Sequence, residues 1–305
     1  MFIYALKRLG VAILVAITVS MVTFSLLHLT GDPAMALAGE SATQEDIENI
    51  RRVYGYDRPF LVQYATWLGH AVTGDFGRSH YLKTQVASVI FERLPTTMIL
   101  GGCALGFALL LSIPLGVLAA IRPNTLIDRL ALSIAVVGQA LPSFWFALIL
   151  IFWFGIQWRL LPITGTASWQ NFIMPAVALG YYVTPAVMRL TRAGMLEVLA
   201  SDYIRTARAK GLRPGVVLFK HALRNAVIPV VALAAVQFGF MLGGSIVIET
   251  IFAINGIGYL AWESIQRADL PMMQAIVLVL ACFYIVLTFL ADMLNAFLDP
   301  RIRVA

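Results

Sequence analysis

Arg205, Arg208, Lys210, Arg213, Lys220 and Arg224 crowd into one short stretch, "SDYIRTARAKGLRPGVVLFKHALRN", residues 201–225. Basic side chains at this density can hold acidic or polar groups of another molecule through charge-assisted hydrogen bonds. Wound as one helix, Leu196, Leu199, Ala200, Tyr203 and Ala207 share a face, and Ser201, Asp202, Arg205 and Arg208 lie opposite. Gly211 ends that helix, and Arg213-Pro214-Gly215 forces a turn. A second short apolar and basic stretch runs from Val216 to Asn225 before Pro229. The expected shape is helix, glycine break, helix. Three explanations fit it: a loop whose charge only fixes topology, a patch for lipid headgroups, and a docking surface for a soluble protein. The glycine break and the small Ala207 and Ala209 favour docking, because a helix entering a groove needs close backbone approach.

Other chemistry is sparse. His28, His70, His80 and His221 are scattered over four segments, with no two at metal-ligand spacing on one helix. Met241, Met272 and Met273 read as membrane packing. Glu249 ends an apolar run and reads first as an interface or structural group, and Asp292 as the partner of a nearby arginine. Cys103 and Cys282 sit in apolar runs and read as small buried packing residues, not a disulfide framework. There is no GxxxxGK[ST], no HExxH and no GxSxG. The chain is therefore not expected to hydrolyse ATP, to be an enzyme of another kind, or to carry its own cofactor. No nucleic-acid partner is expected.

The elements that position these residues are apolar. Of 305 residues, 60% are hydrophobic and 12% charged, whereas soluble domains are roughly a quarter charged. A spanning helix needs about 20 mostly apolar residues. Six windows lack Asp, Glu, Lys and Arg: 9–31, 94–121, 130–158, 160–188, 225–248 and 270–291. Gly165, Ser168, Gln170 and Asn171 make the start of the fourth a loop and move its helix to about 173–193. The first window is too long for the 7–15 residues of a typical secretory h-region, so an uncleaved anchor is expected. Pro114, Pro142, Pro175, Pro185 and Pro229 lie in or beside spans and suit broken helices lining a path. Gly102 and Gly106 form a GxxxG in the second span.

Charge sets the orientation. Segment 189–224 holds eight basic residues against Glu197 and Asp202, while 32–93 holds six basic and eight acidic residues. With Lys7, Arg8, Arg301 and Arg303 at the ends, the positive-inside rule places both termini in the cytoplasm. Segment 32–93 is expected outside, with a helix from Gln44 to Tyr54 after Thr43 as N-cap, another over Phe60–Val72, and a glycine-rich turn at "GDFGRS", 74–79. The division is an N-terminal spanning helix (1–31), a periplasmic insertion (32–93), a core (94–298) containing the basic loop (194–226), and a tail (299–305).

"YIRTARAKGL" followed by "HALRNAVIP" resembles the cytoplasmic loop of binding-protein-dependent ABC importer permeases. Arg205-Thr206-Ala207 stands where Glu-Ala-Ala is usual in that family, and Arg224 where a proline is usual. These departures are similar to the dipeptide/oligopeptide/nickel branch. "TGDPA" (30–34), "GDFGRS", "RLPTT" (93–97), "LGGSIVIETIF" (242–252), "NGIGYL" (255–260) and "LDPRIR" (298–303) resemble that branch in the same order.

The resemblance implies an all-α membrane protein: a type I importer permease bundle of six transmembrane helices in the bacterial inner membrane. It implies a second homologous permease, two ATPase subunits that carry ATP and magnesium, and a periplasmic or lipid-anchored substrate-binding protein. ATPase closure would pull on the helix around Ser201–Leu212 and rock the spans by alternating access. Arg205 and Arg208 would face the ATPase, while Tyr203 and Ala207 would anchor the helix to the permease body. Ser201, Asp202, Thr206, Lys210, Gly211, Leu212, His221, Arg224 and Asn225 would complete the coupling segment. The insertion and the 253–271 loop would meet the binding protein. Short peptides are the larger substrate class of the branch, nickel or its chelates the smaller. A self-contained secondary transporter is the alternative from another class; it calls for inverted repeats and intramembrane ionisable groups.

Overall fold

The computed structural model describes residues 2–30, 33–38 and 42–298. The expected tail, 299–305, and parts of the stretches at 30–34 and 298–303 lie outside them. Among the described residues the chain is helical, with one isolated bridge between Arg78 and Gln85. Among the described residues, four helices are long and apolar enough to cross a membrane, and up to six spans result if each of two bent pairs counts as one.

Helix α1 (Phe2–Thr30) is followed by α2 (Pro33–Ala38), α3 (Gln44–Val53) and α4 (Phe60–Val72). Thr43 caps α3 in a reciprocal capping box with Asp46. Helix α5 (Val86–Ile121) begins inside the segment expected to be the insertion, so the second span projects beyond the apolar window. The third span is two helices, α6 (Leu126–Ala140) and α7 (Ser143–Leu150), the latter continued by a wide π-helical turn over Ile151–Gln157. The fourth is also two, α8 (Ile173–Gly180) and α9 (Thr184–Leu199), bent by 65°. Then come α10 (Asp202–Ala209), α11 (Pro214–Val216), a π-helical turn over Val217–Leu223, and α12 (Arg224–Ala226). Helices α13 (Ile228–Ile251), α14 (Ile257–Gln266) and α15 (Leu270–Leu298) complete the described residues.

Proline explains where the spans break. Pro142 precedes α7 as its N-cap, and Pro185 and Pro229 occupy the first turns of α9 and α13, where a missing N–H costs nothing. The first break is re-satisfied from the second: Tyr181 Oη donates to the Leu141 carbonyl (2.5 Å). Backbone freed inside a membrane must find such partners.

The core lies between α5, α8, α9 and α13, where Leu100, Ala104, Ala108, Ala178, Val187, Met241 and Ile248 are buried together. Lipid tails supply no hydrophobic drive between helices, so close packing of small residues carries the association. A Cβ on Gly180 would collide with the Ala104 carbonyl, and one on Gly116 would sit 2.8 Å from the Met188 carbonyl. The GxxxG makes no close packing within the chain: Gly102 and Gly106 face open space there, and the neighbouring Gly101 meets Phe238 and Leu242 instead. One residue is a 100° turn, enough to move the contact off the motif. The cysteines are corrected, since Cys103 and Cys282 are exposed on α5 and α15.

Three polar knots fix the ends of the bundle. Arg8 pairs with Asp292 at 3.1 Å, joining α1 to α15 as expected of Asp292. Arg192 on α9 grips Asp128 on α6. Glu249, fully buried, accepts from Thr97 Oγ1 (2.8 Å) and the Tyr259 amide (2.9 Å), tying α13 to α5 and α14.

Candidate functional site

The basic loop is clamped onto the bundle. Ile204 and Ala207 of α10 bury into a cluster with Val117 and Ala120 at the end of α5, Met195 of α9, and Val217, Ala222 and Ala226. Gly194 lets α9 approach the next segment, since a Cβ there would lie 2.8 Å from the Ala226 carbonyl. Burial of one full isoleucine is worth about 1.5–3 kcal/mol, so Ile204 is the main apolar anchor of α10.

The expected wheel is corrected at this point. It ran one helix through residues 196–208. The chain instead ends α9 at Leu199, caps it at Ala200, and restarts at Asp202, with Ser201 extended (φ −71°, ψ 154°). The break shifts the phase, so Ile204 takes the buried place given to Tyr203. Ser201-Asp202 was the available signal, an N-cap residue followed by an acid in the first turn. Tyr203, 43% exposed, anchors by its hydroxyl: Asn225 Nδ2 donates to it at 2.8 Å, and it donates to the His221 carbonyl at 3.4 Å. Asn225 Nδ2 also donates to that carbonyl (3.2 Å), so three residues of the basic loop lock α10 to the following turn.

The other face of α10 is open. Asp202, Arg205, Thr206, Arg208, Ala209 and Lys210 are all exposed. Arg205 reaches back to Asp202 at 3.1 Å; an exposed pair of this kind is worth about 0–1 kcal/mol and can be exchanged for a partner's carboxylate at little cost. Gly211 adopts a left-handed φ of +75°. Its amide bonds the Arg208 carbonyl at 2.9 Å, and the Leu212 amide reaches the Ala207 carbonyl at 3.4 Å. This pair of bonds is the Schellman stop. Beside it, Ile121, Leu199, Arg208, Leu212 and Pro214 line a groove of about 490 Å³. His221 is half-buried and Arg224 exposed. The arrangement is a basic, outward-facing helix over an apolar seat, a geometry suited to contact.

The sequence reading did not foresee the Asp128–Arg192 strut or the tie between Asp269 and the turn at Ser79. Asp269, just ahead of α15, accepts from Ser79 Oγ and from the His80 amide (3.1 Å). These pairs are 64 and 190 residues apart, and no local pattern announces them.

Comparison with known proteins agrees with this architecture. Residues 112–304 match the family described as binding-protein-dependent transport system inner membrane component, and residues 1–101 match its N-terminal companion. The glutathione transport system permease protein GsiC of Escherichia coli K12 is 40% identical over 301 residues, covering 98% of each chain. The same protein of Shigella flexneri serotype 5b is also 40% identical at the same coverage. Among solved structures, the inward-facing MetNI methionine ABC transporter superposes with a TM-score of 0.57 at 18% identity, over 69% of this chain and 96% of that one. An amino acid ABC transporter solved with histidines gives 0.50 at 19% identity, over 70% and 94%. At that identity the structures speak for the bundle alone, whereas the sequence matches run almost end to end and include the loop that α10 presents: the chain belongs to the binding-protein-dependent transport system inner membrane components, the permease subunits of ABC importers.

Proposed function

We propose that this permease imports short peptides, forms half of a pore with a second homologous permease, and takes its power from two ATPase subunits seated on α10. What supports the peptide is the 40% identity to a glutathione permease along 98% of both chains, glutathione being a tripeptide. What supports the ATPase seat is the geometry of α10, with Ile204 wholly buried beneath it and its basic residues turned outward. In this reading the ATPases carry ATP and magnesium, and a binding protein delivers substrate to the α2–α4 and α14 side. Both termini lie in the cytoplasm. ATP-driven closure moves α10, and the seat on α5 and α9 passes the motion to the spans as alternating access.

Co-expression with the operon neighbours and copurification of an ATPase tests the seat. The wild type retains the ATPase, and Arg205→Glu, which leaves Ile204 and Ala207 in place, loses most of it. Full retention by Arg205→Glu would make the loop a topology anchor only.

A further inference from the structure

The two breaks in the third and fourth spans meet at one place, and a groove of about 390 Å³ opens there. Gln139, Leu141 and Ser143 line it from the first break, Tyr182 from the second, and Phe240 and Gly244 from α13. Phe240 is near mid-helix, about 18 Å from one end of α13 and about 16 Å from the other at 1.5 Å per residue. Gln139 is exposed, as are Tyr182 (44%) and Phe240 (58%). A carboxamide and a phenol uncovered at this depth do not face hydrocarbon: polar side chains within spans turn to a water-filled cavity or to protein, and broken helices persist only where they line one or are covered. Gly244 has no atom within 4 Å of where a Cβ would stand, so the α13 wall is open to something outside the chain.

From this geometry we infer that the groove at Gln139, Ser143 and Tyr182 is a waypoint for the peptide inside the membrane, closed on its far side by the second permease. The inference rests on the importer reading and adds to it where substrate touches this chain. Its polar groups are a carboxamide, a hydroxyl and a phenol, all neutral, set among apolar walls. Neutral donors and acceptors match the amide groups that every short peptide shares, and apolar walls accept varied side chains. The size falls within the roughly 300–1,000 Å³ of small-ligand sites. The groove would therefore hold peptide backbone with little choice of sequence, leaving selection to the binding protein.

The test uses membrane vesicles containing the complete importer, with Cys103→Ala and Cys282→Ala removing the exposed background thiols. Gln139→Cys and Tyr182→Cys are compared with Leu110→Cys, which is 79% exposed on α5, for reaction with a charged, membrane-impermeant methanethiosulfonate. The groove cysteines should react at least tenfold faster than Leu110→Cys. Trialanine with the binding protein should slow them at least threefold, and Ni²⁺ should not. Groove cysteines no faster than Leu110→Cys would place this surface against lipid or sealed protein and overturn the waypoint. Reactive cysteines that trialanine and glutathione both fail to protect, in vesicles that do import them, would overturn the peptide as occupant while sparing the importer reading. Vesicles with ATP that import neither probe would overturn that reading and the waypoint with it.

Discussion

Arg192 holds Asp128 with two parallel hydrogen bonds, Nε to Oδ1 and Nη2 to Oδ2, each 2.7 Å. The same carboxylate takes the Asn124 amide at 2.9 Å, and Asp128 is only 2% exposed. The strut joins α6 to α9 just before the chain enters the basic loop. Removing Arg192 leaves the shielded Asp128 carboxylate without its counter-ion, which is destabilising. Arg192→Ala should therefore lower the thermal midpoint of the detergent-solubilised complex clearly more than Arg205→Ala, whose ion pair is exposed. Lysine cannot reproduce the fork, so Arg192→Lys should fall between. Equal midpoints for Arg192→Ala and Arg205→Ala would show that the strut carries no load.

Among the described residues, Glu249 is held by a tight loop and not by a counter-ion. Thr97 Oγ1 donates to it and itself accepts the Ile257 amide at 2.8 Å. A Cβ on Gly256 would overlap the Glu249 carboxylate and crowd Thr97 Oγ1. Gly256→Ala should thus destabilise as Thr97→Val does, by about 1–3 kcal/mol for a buried acceptor that loses its donor. The two together should cost less than their sum, because both act on one network. Additive losses in a double-mutant cycle of thermal midpoints would break the link.

The turn at 77–86 should respond to pH through His80. Burial pushes the His80 pKa down from about 6.5, partly opposed by Asp269 and assisted by Lys83. A group whose folded pKa lies below its unfolded value binds protons more readily unfolded, so stability is intact above about 6.5 and falls as pH drops below it. Hydrogen exchange of residues 77–86 should quicken relative to the spans between pH 7 and 5, after correction for intrinsic rates. His80→Gln should remove that excess. An unchanged pH profile in His80→Gln would assign the response to another group.

Most of the fold was legible because membranes impose long uninterrupted runs, and the six windows needed only charge-free length to be found. The α3 cap was legible for a local reason, since Thr43 and Asp46 stand three residues apart. The missed features share a cause. Asp128–Arg192 and Asp269–Ser79 depend on spans being neighbours, which hydropathy does not report. The phase error at Tyr203 came from treating a helix as continuous across Ser201, where one extended residue resets the wheel. The breaks at Pro142 and near Tyr181 were half legible: the prolines marked them, but that both open onto one groove is a property of packing.

Gly211 isolates the backbone's share in shaping the end of α10. Its φ of +75° suits glycine, and a Cβ there would meet nothing within 4 Å. Within the chain, any effect of Gly211→Ala therefore comes from conformation and not from collision. A left-handed residue with a Cβ costs roughly 1–2 kcal/mol. That cost loosens the stop that sets where α10 ends and where Leu212 turns back. If α10 binds the ATPase as a preformed helix, the affinity should fall by the same free energy, about tenfold for 1.4 kcal/mol. Gly211→Asn should lose less, because asparagine visits this region more readily. Measured binding of purified ATPase to reconstituted permease should rank wild type, Gly211→Asn, Gly211→Ala. A Gly211→Ala permease that binds as tightly as wild type would mean that α10 is shaped by its partner and not by its own cap.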